Sequence, residues 1–228
     1  MRALVVSFVL VVGVEKMTHA SRADATNAQL CARDNREDGE SGLTFPGLFG
    51  RAWNAYAARY SISREEVAAV SIKNKANGLK NPLAQLGANL TLDIIKQSPM
   101  IADPVQLYDC CPTSDGAAAV VVTTKDRAKT APDLAIDVLA SVQTRGAPHL
   151  AGHPDLSTFE ATVTAAQRAF AAAGLTPGDL DFVELHDCFS IAEIIDAEDL
   201  GVVPRGQGGK WAAEGRTAVG GTIPINPS

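Results

Sequence analysis

The sequence predicts an α/β fold. Apolar runs of strand type stand at 3–14, 117–124, 134–142 and 181–185. Capped, amphipathic helical segments lie between them, and the strand–helix–strand–helix rhythm of 134–200 is that of a layered α/β protein. The chain has 228 residues, enough for one large or two small domains, and 46% of them are apolar, enough for a core.

The first expected strand, 3–14, is a continuous Val/Leu run, the pattern of a strand buried on both faces. Arg2 followed by this run also resembles a signal peptide, though the run is short for a membrane span. The strand reading is favoured because Val14 leads into the polar Glu15, Lys16 and Met17. Residues 21–47 are polar and turn-rich, an excursion over the surface. Helices are expected at 48–60 and 63–77, the second opening with Ser63 and Glu66 at capping-box spacing. Short strands at 106–108 and 117–124 flank the turn-rich 109–116.

A second section starts near Pro132, with a β-rich run at 134–142 and a loop holding His149 and His153. The clearest helix is 157–173, with Ser157 and Glu160 as a capping box and Gly174 as its stop. A strand at 181–185 and a helix at 190–200 follow, then a glycine-rich loop at 202–221 and a last short strand at 222–226. Two units are expected, 1–130 and 131–228.

The net charge of −6, with no basic stripe, argues against a nucleic-acid partner. Cys31, Cys110, Cys111 and Cys188 form neither a disulfide framework nor a CxxC metal pair, so a reducing cytoplasm is expected. Pro148 and Pro154 oppose a helical metal pair at His149 and His153. The GQGGK run 206–210 lacks P-loop spacing and reads as a mobile loop. Lys73, Asn77 and Lys80 recur at helical spacing, either as a solvated basic face or as phosphate contacts.

The most informative segment is VELHDCFS, 183–190. A strand runs into His186, Asp187, Cys188 and Phe189, and a helix starts near Ser190. If the strand stays extended, His186 and Cys188 share a face. The helix N-terminus would then lower the thiol pKa and suit an oxyanion, as in acyl transfer. A satisfied histidine beside an inert core cysteine is the commoner fate of such a pair. In DCCPTSDGAAA, 109–119, two thiols precede a glycine turn and a small-residue strand suited to close packing.

Together VLVVGVEKMTHA (9–20), AVSIKNKANGLKNPLAQ (69–85), YDCCPTSDGAAAVVV (108–122), VELHDCFSIAEI (183–194) and GGTIPINPS (220–228) resemble the thiolase superfamily, in particular the sterol-carrier-protein-2-type thiolases. The resemblance implies a layered αβαβα fold, with 1–130 as the end of the N-terminal half including the loop domain and 131–228 as the first part of the C-terminal half. It implies acyl-CoA chemistry, 3-ketoacyl-CoA thiolysis or Claisen condensation in lipid metabolism, with coenzyme A as substrate and neither metal nor other cofactor. His186 takes the oxyanion role and Cys188 the acid/base role, while Met17, Lys73 and Lys80 fall in substrate-binding loops. A homodimer is typical of the family. The family's nucleophilic cysteine and its GHP histidine belong to motifs outside these residues, so little activity and marginal stability are expected of this chain alone. Two alternatives stand beside this: a non-thiolytic, aldolase-type subunit partnered by an OB-fold acyl-CoA-binding protein, and an acyl-CoA or lipid-binding module.

Overall fold

The fold is organised around one helix that is buried on every side. The computed structural model describes residues 7–130 and 135–228. Along the chain come β1 (Phe8–Glu15), α1 (Arg22–Leu30), α2 (Glu37–Glu40), α3 (Phe45–Tyr60), α4 (Arg64–Gly78), α5 (Leu92–Lys96), β2 (Met100–Ala102), β3 (Val105–Gln106) and β4 (Gly116–Thr123). Then follow α6 (Lys125–Ala128), α7 (Glu160–Ala173), α8 (Ser190–Asp199) and α9 (Gly208–Ala213). The central helix is α8, in which Ile191, Ala192, Ile194, Ile195 and Ala197 are all buried. Glu193, Glu198 and Asp199 of the same helix are buried as well, so its carboxylates must find partners inside the protein. One side of α8 packs with Trp53 and Tyr56 of α3, Val67 and Val70 of α4, Val105 and Ala212. Ala197, at its far end, joins a second cluster with Val203, Ile223 and Ile225.

Local signals explain the helices that hold this core. Ser63 accepts from the Glu66 N–H while Glu66 accepts from the Ser63 N–H, so the expected capping box starts α4. Gly174 ends α7 in the left-handed conformation, at φ 69°. At the start of α7 the expected box is absent, because Ser157 turns back to Asp155 (2.6 Å). The start is held from outside instead: the Phe159 N–H donates to Asp199, which also accepts from the Thr158 hydroxyl at 2.7 Å.

The strands depart most from expectation. β1 pairs antiparallel with β4, Phe8 opposite Thr123 through Glu15 opposite Gly116, and the two form a ribbon of their own. β1 is exposed along its whole length rather than buried, because among the described residues no helix or further strand covers it. Residues 3–6 and Leu134, parts of two expected strands, lie outside the described residues. Residues 135–142 form no strand: Ile136, Val138 and Leu139 are exposed, and a strand needs a ladder partner. The expected strands 181–185 and 222–226 reduce to one parallel bridge, Val183 with Ile225.

The glycine-rich 202–221 is ordered around α9 rather than a mobile loop. A Cβ at Gly208 would lie 2.8 Å from Ile194 Cγ2, and one at Gly209 2.6 Å from Ile62 Cδ1. These glycines let α9 approach α4 and α8 closely. No helix among the described residues is long and apolar enough to cross a membrane.

Candidate active site

The HDCF segment is held by two different stretches of chain. At its start the Val183 N–H donates to Pro224 O (2.9 Å) and Val183 O accepts from the Asn226 N–H (2.8 Å). The Asp187 N–H then turns back to Leu185 O (3.2 Å), so the backbone bends at His186 instead of staying extended. At its end Phe189 bridges antiparallel to Cys110, and the Cys111 N–H donates to Cys188 O at 3.0 Å. Phe189 stacks on Phe49 with ring centroids 4.4 Å apart. His186 is exposed, while Cys188 is half-buried against the first core cluster.

Beneath the segment lies a buried polar network that sequence reasoning missed. Glu193, 2% exposed, takes the Lys73 ammonium at 3.0 Å, the Asn74 amide at 2.7 Å and the Asn226 amide at 2.9 Å. Asn74 Nδ2 also donates to Asp187 Oδ2 at 2.7 Å, which fixes the Asp of HDCF to α4. Asn226 Oδ1 accepts from the Leu185 N–H at 2.6 Å, and Asn226 O accepts from Asn77 Nδ2 at 2.8 Å. Lys73 further donates to Ile225 O (2.6 Å) and to Asn74 Oδ1. Its three donors are therefore used inside the protein, and Asn77 is buried too. The Lys73–Asn77–Lys80 row is thus neither a solvated face nor a set of free phosphate contacts; Lys80 alone is exposed. A signal was present in the sequence: Glu193 is flanked by Ile191, Ala192, Ile194 and Ile195, where a carboxylate needs buried partners.

A cavity of about 440 Å³ opens beside the network. Asp187 and Ser190 line it from the HDCF side, Asn74 and Lys75 from α4, and Cys111 and Ser114 from the loop before β4. The aspartates of DCCPTSDG fasten both ends of that loop. Asp109 pairs with Arg64 at 2.8 Å. Asp115 accepts from the backbone N–H groups of Met17 (2.8 Å) and Thr18 (2.9 Å) and from the Thr18 hydroxyl (2.6 Å). Gln85, on the cavity wall, donates to Asp115 O at 2.7 Å, so the half-buried Met17 is tied to a residue that contacts the wall.

The electrostatics reverse one expectation. Burial pushes the Cys188 thiol up to about 12, and the neighbouring Cys111 thiol adds to the rise. The backbone N–H of the N-cap Phe189 opposes the rise without cancelling it, since Cys188 precedes the cap and stands outside the first turn. Such a thiol is protonated at neutral pH and stands ready as an acid. Burial also raises Cys110, to about 11, and raises Cys111, with Asp187 contributing to the latter.

Residues 3–126 match the thiolase N-terminal domain, and residues 143–228 match the thiolase C-terminal domain-like family. The chain belongs to the thiolase family. It is 43% identical over 220 residues to an acetyl-CoA acetyltransferase of Methanothermobacter thermautotrophicus, covering 96% of this chain and 57% of that protein. It is 32% identical over 232 residues to sterol carrier protein 2 of Bos taurus, covering 96% of this chain and 43% of that protein. The chain thus spans about half the length of these relatives. Among solved structures it superposes on an Ltp2-ChsH2(DUF35) aldolase with a TM-score of 0.80 at 23% identity, covering 97% of this chain and 58% of that one. That likeness shows the thiolase fold, as the sequence led us to expect. The thiolase-family chain therefore brings Asp187 of its HDCF segment to the cavity wall, braced from below by α4, while His186 and Cys188 flank it and are not among the lining residues.

Proposed function

We propose that these residues supply the oxyanion and acid/base half of a thiolase site acting on acyl-CoA thioesters. The observation that carries the proposal is the placement of Asp187, which lines a cavity of about 440 Å³ and is held from beneath by Asn74, with His186 and Cys188 as its immediate neighbours in the chain. The acetyl-CoA acetyltransferase similarity supports the same chemistry. In the condensing direction Cys188 takes the α-proton of the nucleophilic thioester, and in thiolysis it returns a proton to the departing enolate. The raised thiol pKa suits the second step directly, because an acid must hold its proton until the carbanion forms. His186, exposed at the bend, donates to the thioester oxygen as charge develops there.

Coenzyme A is a substrate in this scheme, and no metal or other cofactor takes part. Lys80 and the cavity-lining Lys75 are the α4-end cations for its phosphates, and Met17 borders the acyl path. Lys73 leaves that set, because its ammonium is committed to Glu193. Four free cysteines fit a reducing cytoplasm, and a second copy of the chain is the partner a thiolase would take.

The test is acetyl-CoA in D₂O followed by NMR, together with a thiolysis assay on acetoacetyl-CoA. We expect slow α-deuteration that Cys188→Ser abolishes, and thiolysis far below that of an intact thiolase. Stoichiometric coenzyme A binding without exchange would replace this reading with a binding module, and full thiolysis would overturn the half-site assignment. A second reading, an aldolase-type subunit, draws on the 0.80 TM-score to the Ltp2-ChsH2(DUF35) aldolase. Copurification of an OB-fold acyl-CoA-binding protein would favour it.

A further inference from the structure

The DCCP segment is joined to HDCF by the register of a short antiparallel bridge. Cys110 lies opposite Phe189, so the next pair along is Cys111 and Cys188. The Cys111 N–H···O=C Cys188 bond of 3.0 Å fixes that register. The two residues share this one bond at the end of the bridge, and neighbours across an antiparallel pair have Cα atoms about 4.5–5.5 Å apart. A disulfide needs a Cα separation of roughly 4.4–6.8 Å. Both thiols are free, and Cys111 is exposed where Cys188 is half-buried. Cys111 is also the foremost of the neighbouring ionisable groups acting on Cys188, ahead of Asp196 and even of the adjacent Asp187.

We propose that Cys111 and Cys188 are a reversible disulfide site, closed by a low-molecular-weight disulfide such as oxidised glutathione. Cys111, the accessible member, attacks one sulfur of the glutathione disulfide as its thiolate. A Cys111–glutathione mixed disulfide forms and one glutathione leaves. Cys188 then loses its proton and attacks the Cys111 sulfur, forming the Cys111–Cys188 bond and releasing the second glutathione. Two electrons pass from the protein pair to the glutathione disulfide, and the two thiol protons end on the two glutathione thiols. Thiols whose ionisation is suppressed attack slowly, but they are also poor leaving groups, so the bond once made resists reduction. Cys110 lies one residue back, opposite Phe189, and packs on the same core cluster as Cys188, so the Cys110→Ser and Cys111→Ser variants decide between the two partners. On the reading of Cys188 as the acid/base thiol, the disulfide removes the proton carrier.

The experiment is equilibration of the purified chain with oxidised glutathione at pH 8, trapping of free thiols with iodoacetamide, and non-reducing tryptic mapping. Trypsin leaves Cys110 and Cys111 together on peptide 97–125 and Cys188 on peptide 169–205. We expect these two peptides to be joined, with free thiols falling by two of the four. The Cys110→Ser variant should keep the linkage, and Cys111→Ser should lose it. A linkage lost in Cys110→Ser and kept in Cys111→Ser would overturn the proposal. So would a bond within peptide 97–125, or glutathione adducts alone. Mapping needs no activity, so the outcomes separate. If the linkage forms and α-proton exchange persists in the oxidised chain, the acid/base assignment of Cys188 fails while the disulfide stands.

Discussion

Replacing Lys73 by Met tests whether the buried network sets the stability of the site. Met keeps the length and most of the volume of the side chain but removes the ammonium that lies 3.0 Å from Glu193. Glu193, 2% exposed, would keep two amide partners and no counter-charge. Breaking a buried pair from one side costs about 3–5 kcal/mol. In a protein of this size that lowers Tm by roughly 6–20 °C. The pH dependence has a defined sign. Burial already holds the Glu193 carboxyl above its ordinary value, and Lys73 opposes that rise. Without Lys73 the folded-state value climbs further. The stability gained from protonated Glu193 is then present below the unfolded carboxylate value of about 4.3 and is lost as pH rises through the folded value. Lys73→Met should therefore be less damaging at pH 5 than at pH 8. Adding Glu193→Gln should restore half or more of the loss at pH 8, since Gln accepts from Asn74 or Asn226 without a charge. Thermal unfolding by circular dichroism at both pH values is the assay. A Tm within 2 °C of the parent at pH 8, or a loss independent of pH, would refute the reasoning.

Three further outcomes follow from the packing. Tyr56→Phe removes the hydroxyl that donates to the buried Glu198, whose carboxylate keeps the Gly206 (2.9 Å) and Gly208 (2.7 Å) N–H groups; urea titration should show a loss of about 1.5–3 kcal/mol. Gly208→Ala places a methyl 2.8 Å from Ile194 Cγ2 and 2.9 Å from Glu198 Oε1. It should cost about 1–3 kcal/mol, read as a lower urea midpoint with unchanged slope. Leu10 and Val121 face each other on the β1–β4 ribbon at 65% and 63% exposure. Leu10→Lys with Val121→Glu should lower light scattering and dye binding while leaving stability within about 0.5 kcal/mol.

The sequence made the helices legible because their signals are local. Ser63 and Glu66 start α4, Gly174 ends α7, and the helix expected at 190–200 is α8. What depended on distant partners was not legible. The Val/Leu run of β1 matches a central strand, yet its burial depends on what covers it, which no pattern within 8–15 records. Ser157 has capping-box spacing to Glu160, but Asp155 and Asp199 outcompeted it. Glycines 206, 208 and 209 signalled a loop because the close approach of α4 and α8 is invisible along the chain. At the site, HDCF stands out by its residue types. The burial of Lys73 was not legible, because helical spacing shows which residues share a face, not whether that face meets solvent or Glu193.

Asn226 has a φ of 49° and still carries a side chain. Its backbone joins Val183 and Asn77, and its amide joins Leu185 and Glu193. Glycine would accept the backbone angle but surrender both side-chain bonds. Aspartate would keep the bond to Leu185 but set a second negative charge against Glu193. A β-branched residue would be strained at that angle. None of these substitutes keeps both the backbone angle and the two amide bonds, so the spelling of a single codon is bound to the shape of a site some forty residues away.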